Sequence, residues 1–214
     1  MKKILIVFGT RPEAIKMAPL YLEFKNSALF ETYLCVTSQH KEMLKQVLDT
    51  FDITPDFDID VMKKNQDLFD ITSKILIRMK KIINDVSPDI VMVHGDTSTT
   101  FAASLACFYL GIKVGHVEAG LRTYDLNAPF PEEFNRQITG KISTYHFAPT
   151  KSSYENLINE GVSKDKIWIT GNTVIDALYE IRKKIKSDIN LRENVLTEIQ
   201  SQIDLSLIDK KTRY

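Results

Sequence analysis

The chain has 214 residues, with 28 Lys and Arg against 28 Asp and Glu and 43% hydrophobic residues. At ~100–200 residues per domain this is one domain with room for part of a second, and ordinary hydrophobicity at zero formal charge excludes a disordered chain. The same balance argues against recruitment to nucleic acid or an anionic membrane by bulk electrostatics.

The first apolar run, Ile4 to Phe8, is rich in β-branched residues. It is too short for a signal-peptide core, and no later run approaches the ~20 apolar residues of a membrane span, so a soluble, cytoplasmic protein is expected. Gly9-Thr10-Arg11-Pro12 follows, then the helical spacing Ala14, Met17, Ala18, Tyr21, with Pro12 suited to the first turn. Tyr33 to Val36 predicts a strand, Lys41 to Phe51 a helix and Ile71 to Val86 a longer helix closed by Pro88. Then come a strand at Ile90 to Val93, an Ala-rich helix at Thr97 to Leu110, a strand at Lys113 to Val117 and a helix at Pro131 to Ile142. Strands at Tyr145 to Ala148 and Lys166 to Ile169, and helices at Lys151 to Asn159 and Thr173 to Ile185, complete the alternation. Strands alternating with helices at this pitch imply an α/β fold, a Rossmann-like doubly wound parallel sheet. From about Lys186 the chain turns polar, helical at best, and offers no further strand. Cys35 and Cys107 lie in apolar stretches without CxxC spacing and are expected as buried free thiols in a reducing compartment.

In an open parallel sheet, ligands bind beyond the carboxyl ends of the strands. The first such loop, Gly9 to Lys16, is neither GxGxxG nor a Walker loop. It does offer a glycine for close backbone approach, a helix N-terminus and two cations, Arg11 and Lys16, which together suit a diphosphate; the competing reading is two solvated side chains. Asp96 and Glu118 each follow a strand and are expected at neighbouring strand ends. For Asp96 the simpler reading is an N-cap of the next helix; Glu118, in a glycine-flanked turn, has no such explanation. Glu132 and Glu133 open a proline-punctuated helix, where acidic residues ordinarily just complement the helix dipole. Three acidic positions around one cleft carry more weight, because crowded carboxylates push one another's pKa values apart and yield a matched acid and base. A rival constellation pairs His94 with Asp96 and His116 with Glu118 as divalent-metal ligands; the glycine between His94 and Asp96 suggests a turn that spoils their shared direction.

Taken together, Phe8-Gly-Thr-Arg-Pro-Glu-Ala-Ile-Lys-Met-Ala-Pro19, Val93-His-Gly-Asp-Thr97, Gly115-His-Val-Glu-Ala-Gly-Leu-Arg-Thr123, Pro131-Glu-Glu-Phe-Asn-Arg136 and Ile169-Thr-Gly-Asn-Thr-Val-Ile-Asp-Ala177 closely resemble the non-hydrolysing UDP-N-acetylglucosamine 2-epimerases, from the N-terminus to about Ile181. The resemblance implies the N-terminal half of a two-domain, GT-B-like architecture: residues 1–171 as a Rossmann-like domain carrying the acid/base residues, and 172–214 as a connecting helix and the truncated start of a UDP-binding domain. It implies interconversion of UDP-GlcNAc and UDP-ManNAc for surface polysaccharide synthesis, by elimination of UDP to 2-acetamidoglucal and re-addition, without cofactor or metal. By matching positions, Asp96, Glu118 and Glu132 become the acid/base residues, Arg11 and Lys16 the diphosphate contacts, and Gln39-His40 an activator site, where Glu42 and Asn65 differ from some members. The full-length family is expected to be homodimeric. A His-Arg-Arg-Glu motif of the family's second domain is not in this chain, so the 214 residues alone are expected to be inactive or nearly so. Two other readings follow from the same residues: a hydrolysing 2-epimerase releasing ManNAc and UDP, which the family's Arg-Pro-Glu-Ala pattern at Arg11 to Ala14 disfavours, and a non-catalytic truncated domain.

Overall fold

The computed structural model describes residues 1–38, 41–62 and 66–202. In chain order the elements are β1 (Lys2–Phe8), α1 (Arg11–Asn26), β2 (Phe30–Val36), α2 (Lys41–Thr50), β3 (Phe57–Asp58), α3 (Leu68–Val86), β4 (Ile90–His94), α4 (Ser98–Tyr109), β5 (Lys113–Val117), α5 (Glu132–Ile142), β6 (Tyr145–Ala148), α6 (Lys151–Asn159), β7 (Ile167–Ile169), α7 (Val174–Ser187) and α8 (Ile189–Gln202). The strands form one seven-stranded sheet in the order β3-β2-β1-β4-β5-β6-β7. Every pairing is parallel, from β1 with β2 to β6 with β7. The order reverses between β1 and β4, which opens a crevice at their carboxyl ends.

Because a strand's side chains alternate, β1 serves two cores. Leu5 and Val7 pack with α3 and α4 through Ile75, Met79, Ala102 and Ala106. Ile4, Ile6 and Phe8 face α1 and α2 through Met17, Tyr21, Leu44 and Leu48. Each fully buried side chain of this size stabilises the fold by about 1.5–3 kcal/mol, so the central strand is anchored twice over. Cys35 and Cys107 are free and buried. They belong to the α3/α4 core, where burial pushes the Cys107 thiol up to about 12 and raises that of Cys35 as well.

One feature differs from the sequence expectation. The two-residue β3 had no counterpart in the hydrophobic pattern; it is held by backbone bonds on either side of it, Asp56 N–H to Leu34 O and Ile59 N–H to Val36 O, both 2.9 Å. The helix that follows the sequence boundary at 171/172, α7, lies back on the body of the sheet. Its Ala177 and Ile181 pack into the α1/α2 core, and Lys184 Nζ donates to Thr50 O at 2.8 Å and pairs with Asp52 at 2.6 Å. α8 buries no residue. No helix among the described residues is long and apolar enough to cross a membrane.

Candidate active site

The loop after β1 is shaped by Gly9. A Cβ on it would lie 2.0 Å from Thr37 Oγ1 and 2.5 Å from Thr99 Oγ1, two hydroxyls that bond each other at 2.8 Å across the carboxyl end of the sheet. α1 then starts at its N-cap Thr10, and three residues on, Glu13 folds back. Its Oε2 accepts from Gly9 N and Thr10 N at 2.9 and 2.8 Å, while Oε1 accepts from Thr97 Oγ1 at 2.7 Å. The amides of Gly9 and Thr10 are therefore already satisfied by a carboxyl group of the same helix. Beside these two amides the loop presents the side chains of Arg11 and Lys16. Arg11 is exposed, has no hydrogen-bond or ion-pair partner among the described residues, and borders a hollow of about 330 Å3 lined by Ile15, Val47, Phe51 and Leu178. Lys16 instead reaches across to β5, its Nζ 2.9 and 2.7 Å from the two Glu118 oxygens.

Asp96 and Glu118 do come from the ends of neighbouring strands, since β4 and β5 pair up to His94 and Val117. Asp96 is not the cap of α4, however. Thr97 takes that role, its hydroxyl accepting from Thr100 N at 3.2 Å. The Asp96 carboxyl is left to the cleft, 3.6 Å from Arg136 Nη1. Burial pushes its pKa up to about 6; Arg136 opposes this, while Glu132, Glu118 and Glu13 add to it. Glu118 sits at φ +61°, a left-handed conformation uncommon for a side-chain-bearing residue. Besides Lys16 it accepts from Asn172 Nδ2 at 3.0 Å, and Asn172 Oδ1 in turn accepts from Val174 N at 3.0 Å in the first turn of α7. Glu132 opens α5, half-buried, close enough to Asp96 for its charge to act there.

Glu133, its neighbour, does different work. Fully buried, it accepts from Thr123 N and Tyr124 N at 3.0 Å each and pairs with Arg136 at 2.9 Å. It thereby fixes the loop that precedes α5 and the guanidinium that faces Asp96.

The metal constellation does not assemble. Gly95, at φ +65°, turns the chain between His94 and Asp96. His94 Nε2 approaches Glu118 only to 3.8 Å, beyond hydrogen-bond length, and His116 Nε2 lies 2.7 Å from Gly95 O. Burial lowers the pKa of both imidazoles to about 3. Among the described residues no three His, Cys, Asp or Glu side chains could hold a metal ion. Gln39, His40 and Asn65, the positions expected at an activator site, lie outside the described residues.

Three further residues touch this cluster. Glu13 carried a legible sign, since Thr10 followed three residues later by Glu is a capping-box pattern. Asn172 could be read only as a turn residue before a helix, and His116 only as a metal candidate.

Comparison with known proteins bears on the same cleft. A family model described as UDP-N-acetylglucosamine 2-epimerase matches residues 22–208. The UDP-N-acetylglucosamine 2-epimerase of Campylobacter jejuni is 55% identical over 206 residues, 96% of this chain and 54% of that protein. Among solved structures, a UDP-GlcNAc 2-epimerase from Neisseria meningitidis bound to UDP-GlcNAc superposes with a TM-score of 0.88 at 50% identity, over 92% of this chain and 54% of that one. The Methanocaldococcus jannaschii UDP-GlcNAc 2-epimerase, in complex with UDP-GlcNAc and UDP, does so with a TM-score of 0.82 at 35% identity, over 91% and 53%. The chain spans about half the length of the curated relatives it matches.

Proposed function

The chain belongs to the UDP-N-acetylglucosamine 2-epimerase family, and from that premise we propose that it carries the acid/base wall of a site interconverting UDP-GlcNAc and UDP-ManNAc without hydrolysis, serving surface polysaccharide synthesis. The observation that carries this reading is the carboxyl cluster at the β4 and β5 ends. Asp96 has its pKa pushed to about 6, beside a Glu118 held by Lys16 and Asn172, with Glu132 opposite.

The chemistry needs such a set. The sugar C2 proton is not adjacent to a carbonyl, so its removal is coupled to departure of UDP from C1. The C2–H electrons form the C1=C2 bond of 2-acetamidoglucal as the C1–O bond electrons leave with the diphosphate. Re-addition of UDP with a proton delivered to the opposite face completes the inversion. A carboxyl whose pKa lies near neutrality serves in either direction, as base when ionised and as acid when protonated. Asp96, Glu118 and Glu132 fill the acid/base roles in this reading, and Arg11 and Lys16 meet the charge that develops on the leaving diphosphate. Lys16, which neutralises Glu118 in the structure, would then divide its charge between the carboxylate and the diphosphate.

The test follows UDP-GlcNAc in D2O by proton NMR. It is run on the 214-residue chain and on the chain joined to the remaining half of the Campylobacter jejuni relative. The expected result is UDP-ManNAc with deuterium at C2 of both epimers, slowed by ~100-fold or more in Asp96→Asn and Glu118→Gln, the usual weight of a general acid or base. Conversion that keeps the original C2 proton, free ManNAc as first product, no turnover in either protein, or unimpaired turnover by both variants would each overturn the reading.

A further inference from the structure

Asp96 hangs from the most permissive link at the sheet's edge. Gly95 has φ +65°, and a Cβ built on it would meet nothing within 4 Å, so neither sterics nor a side chain of its own fixes the peptide joining Gly95 to Asp96. Groups from elsewhere do so. Gly95 N, in the preceding peptide, donates to Val117 O at 2.9 Å, and Gly95 O, the carbonyl of the Gly95–Asp96 peptide itself, lies 2.7 Å from His116 Nε2. A carbonyl oxygen only accepts, so Nε2 carries the hydrogen and Nδ1 is bare. That Nδ1 is buried without a partner, in a side chain with 0% exposure. An apolar residue could fill the same space without burying an unpaired ring nitrogen. The hydrogen bond to Gly95 is what the imidazole supplies that an apolar side chain would not.

We propose that His116 is a positioning residue for Asp96: its Nε2–H holds the Gly95–Asp96 peptide in the orientation that turns the Asp96 carboxyl into the carboxylate cluster opposite Arg136. The proposal rests on the reading of Asp96 as an acid/base group and adds a residue to it. Asn135 Nδ2 donates to Asp96 O at 2.9 Å, so one side chain steadies the peptide before Asp96 and another the peptide after it. The charges facing the carboxyl are Arg136 and Glu132 from α5, Glu118 from the end of β5 and Glu13 from α1. If the Gly95 peptide is free to rotate, the carboxyl leaves this company and gains water, and both changes restore ordinary aspartate behaviour.

The experiment is a carbon-13 NMR titration of the Asp96 carboxyl in the wild-type chain and in His116→Gln, His116→Asn and His116→Leu. A glutamine amide can reach the place of Nε2, an asparagine amide only that of Nδ1, and leucine offers no donor. Wild type and His116→Gln are expected to titrate near 6, and the other two to fall by at least ~1 pH unit toward the ordinary aspartate value of about 4. Because His116→Asn and His116→Gln both bury one amide, their comparison is decisive even where His116→Leu fails to fold. An Asp96 midpoint in His116→Asn equal to that in His116→Gln overturns the proposal, whichever value they share. Turnover by Asp96→Asn at the wild-type rate would remove the catalytic reading of Asp96 and leave the titration to decide His116 independently.

Discussion

Removing Glu13 is the most demanding single test of how the site is built. In Glu13→Ala the amides of Gly9 and Thr10 and the hydroxyl of Thr97 lose their acceptor, in a place where the side chain is 2% exposed. Each buried donor left unpaired costs about 1–3 kcal/mol, and the lost methylene about 0.8 kcal/mol. Thr10, at 9% exposure, lies close enough to solvent for water to recover part of this, so a net loss of about 3–5 kcal/mol is expected. Glu13→Gln should behave differently. Thr100 Oγ1 already bonds His94 O and lies 3.2 Å from Glu13 Oε1. Burial is the chief cause of the raised Glu13 pKa, and the hydroxyl and amide donors around it oppose the shift. The amide of glutamine can donate to Thr100 there and accept from Gly9 and Thr10, but it leaves the Thr97 hydroxyl without its acceptor, so a loss of about 1–3 kcal/mol is expected. Urea unfolding of the three proteins under one set of conditions measures both differences. A Glu13→Ala loss below about 1 kcal/mol, or a Glu13→Gln loss as large as that of Ala, would refute the clamp.

Two further predictions concern pH. Asp96 has a folded pKa raised to about 6, so it favours the fold below the unfolded value of about 4, and that contribution is lost as pH rises through 6. With a side chain 29% exposed, Asp96→Asn should stabilise the chain by about 2–3 kcal/mol at mildly alkaline pH and by almost nothing near pH ~3.5; equal effects at both would contradict this. The histidines act in the opposite sense: burial depresses His94 and His116 to about 3 and His146 to about 4, so the stability they lend above ~6.5 drains away as pH falls. At pH ~5 unfolding should take up between one and two net protons once those released by Asp96 and Glu13 are counted, a slope of about 1.5–3 kcal/mol per pH unit that urea midpoints at several pH values can check.

Much of the fold could be read from the sequence because it is written locally. Strands such as Lys113–Val117 are short apolar runs between turn residues, and helices such as α3 carry an apolar stripe through Ile71, Ile75, Met79 and Ile82. β3 escaped because two residues, Phe57 and Asp58, hold no period and owe their place to backbone bonds with β2. In the site, residue types and strand-end positions were legible, but partners were not. Asp96 and Thr97 are both good caps side by side, and local chemistry does not say which is used. The choice fell to Thr97, which also reaches Glu13 from 84 positions away. Lys16 and Glu118 are 102 positions apart, Asn172 and Glu118 54. Such pairs exist only once the sheet has brought β1, β5 and β7 to one edge.

The two buried thiols have a practical consequence. Cys35 on β2 and Cys107 on α4 sit in the same core, each at 0% exposure, and their raised pKa values leave almost no thiolate at neutral pH. An alkylating reagent therefore reacts only during excursions in which that core comes apart. The unmodified chain thus carries its own clock for opening, placed behind the sheet face that bears His116. A nucleotide sugar that binds the closed chain will slow the clock by the factor 1 + [L]/Kd, so affinity can be read from a mass increment without a label and without turnover.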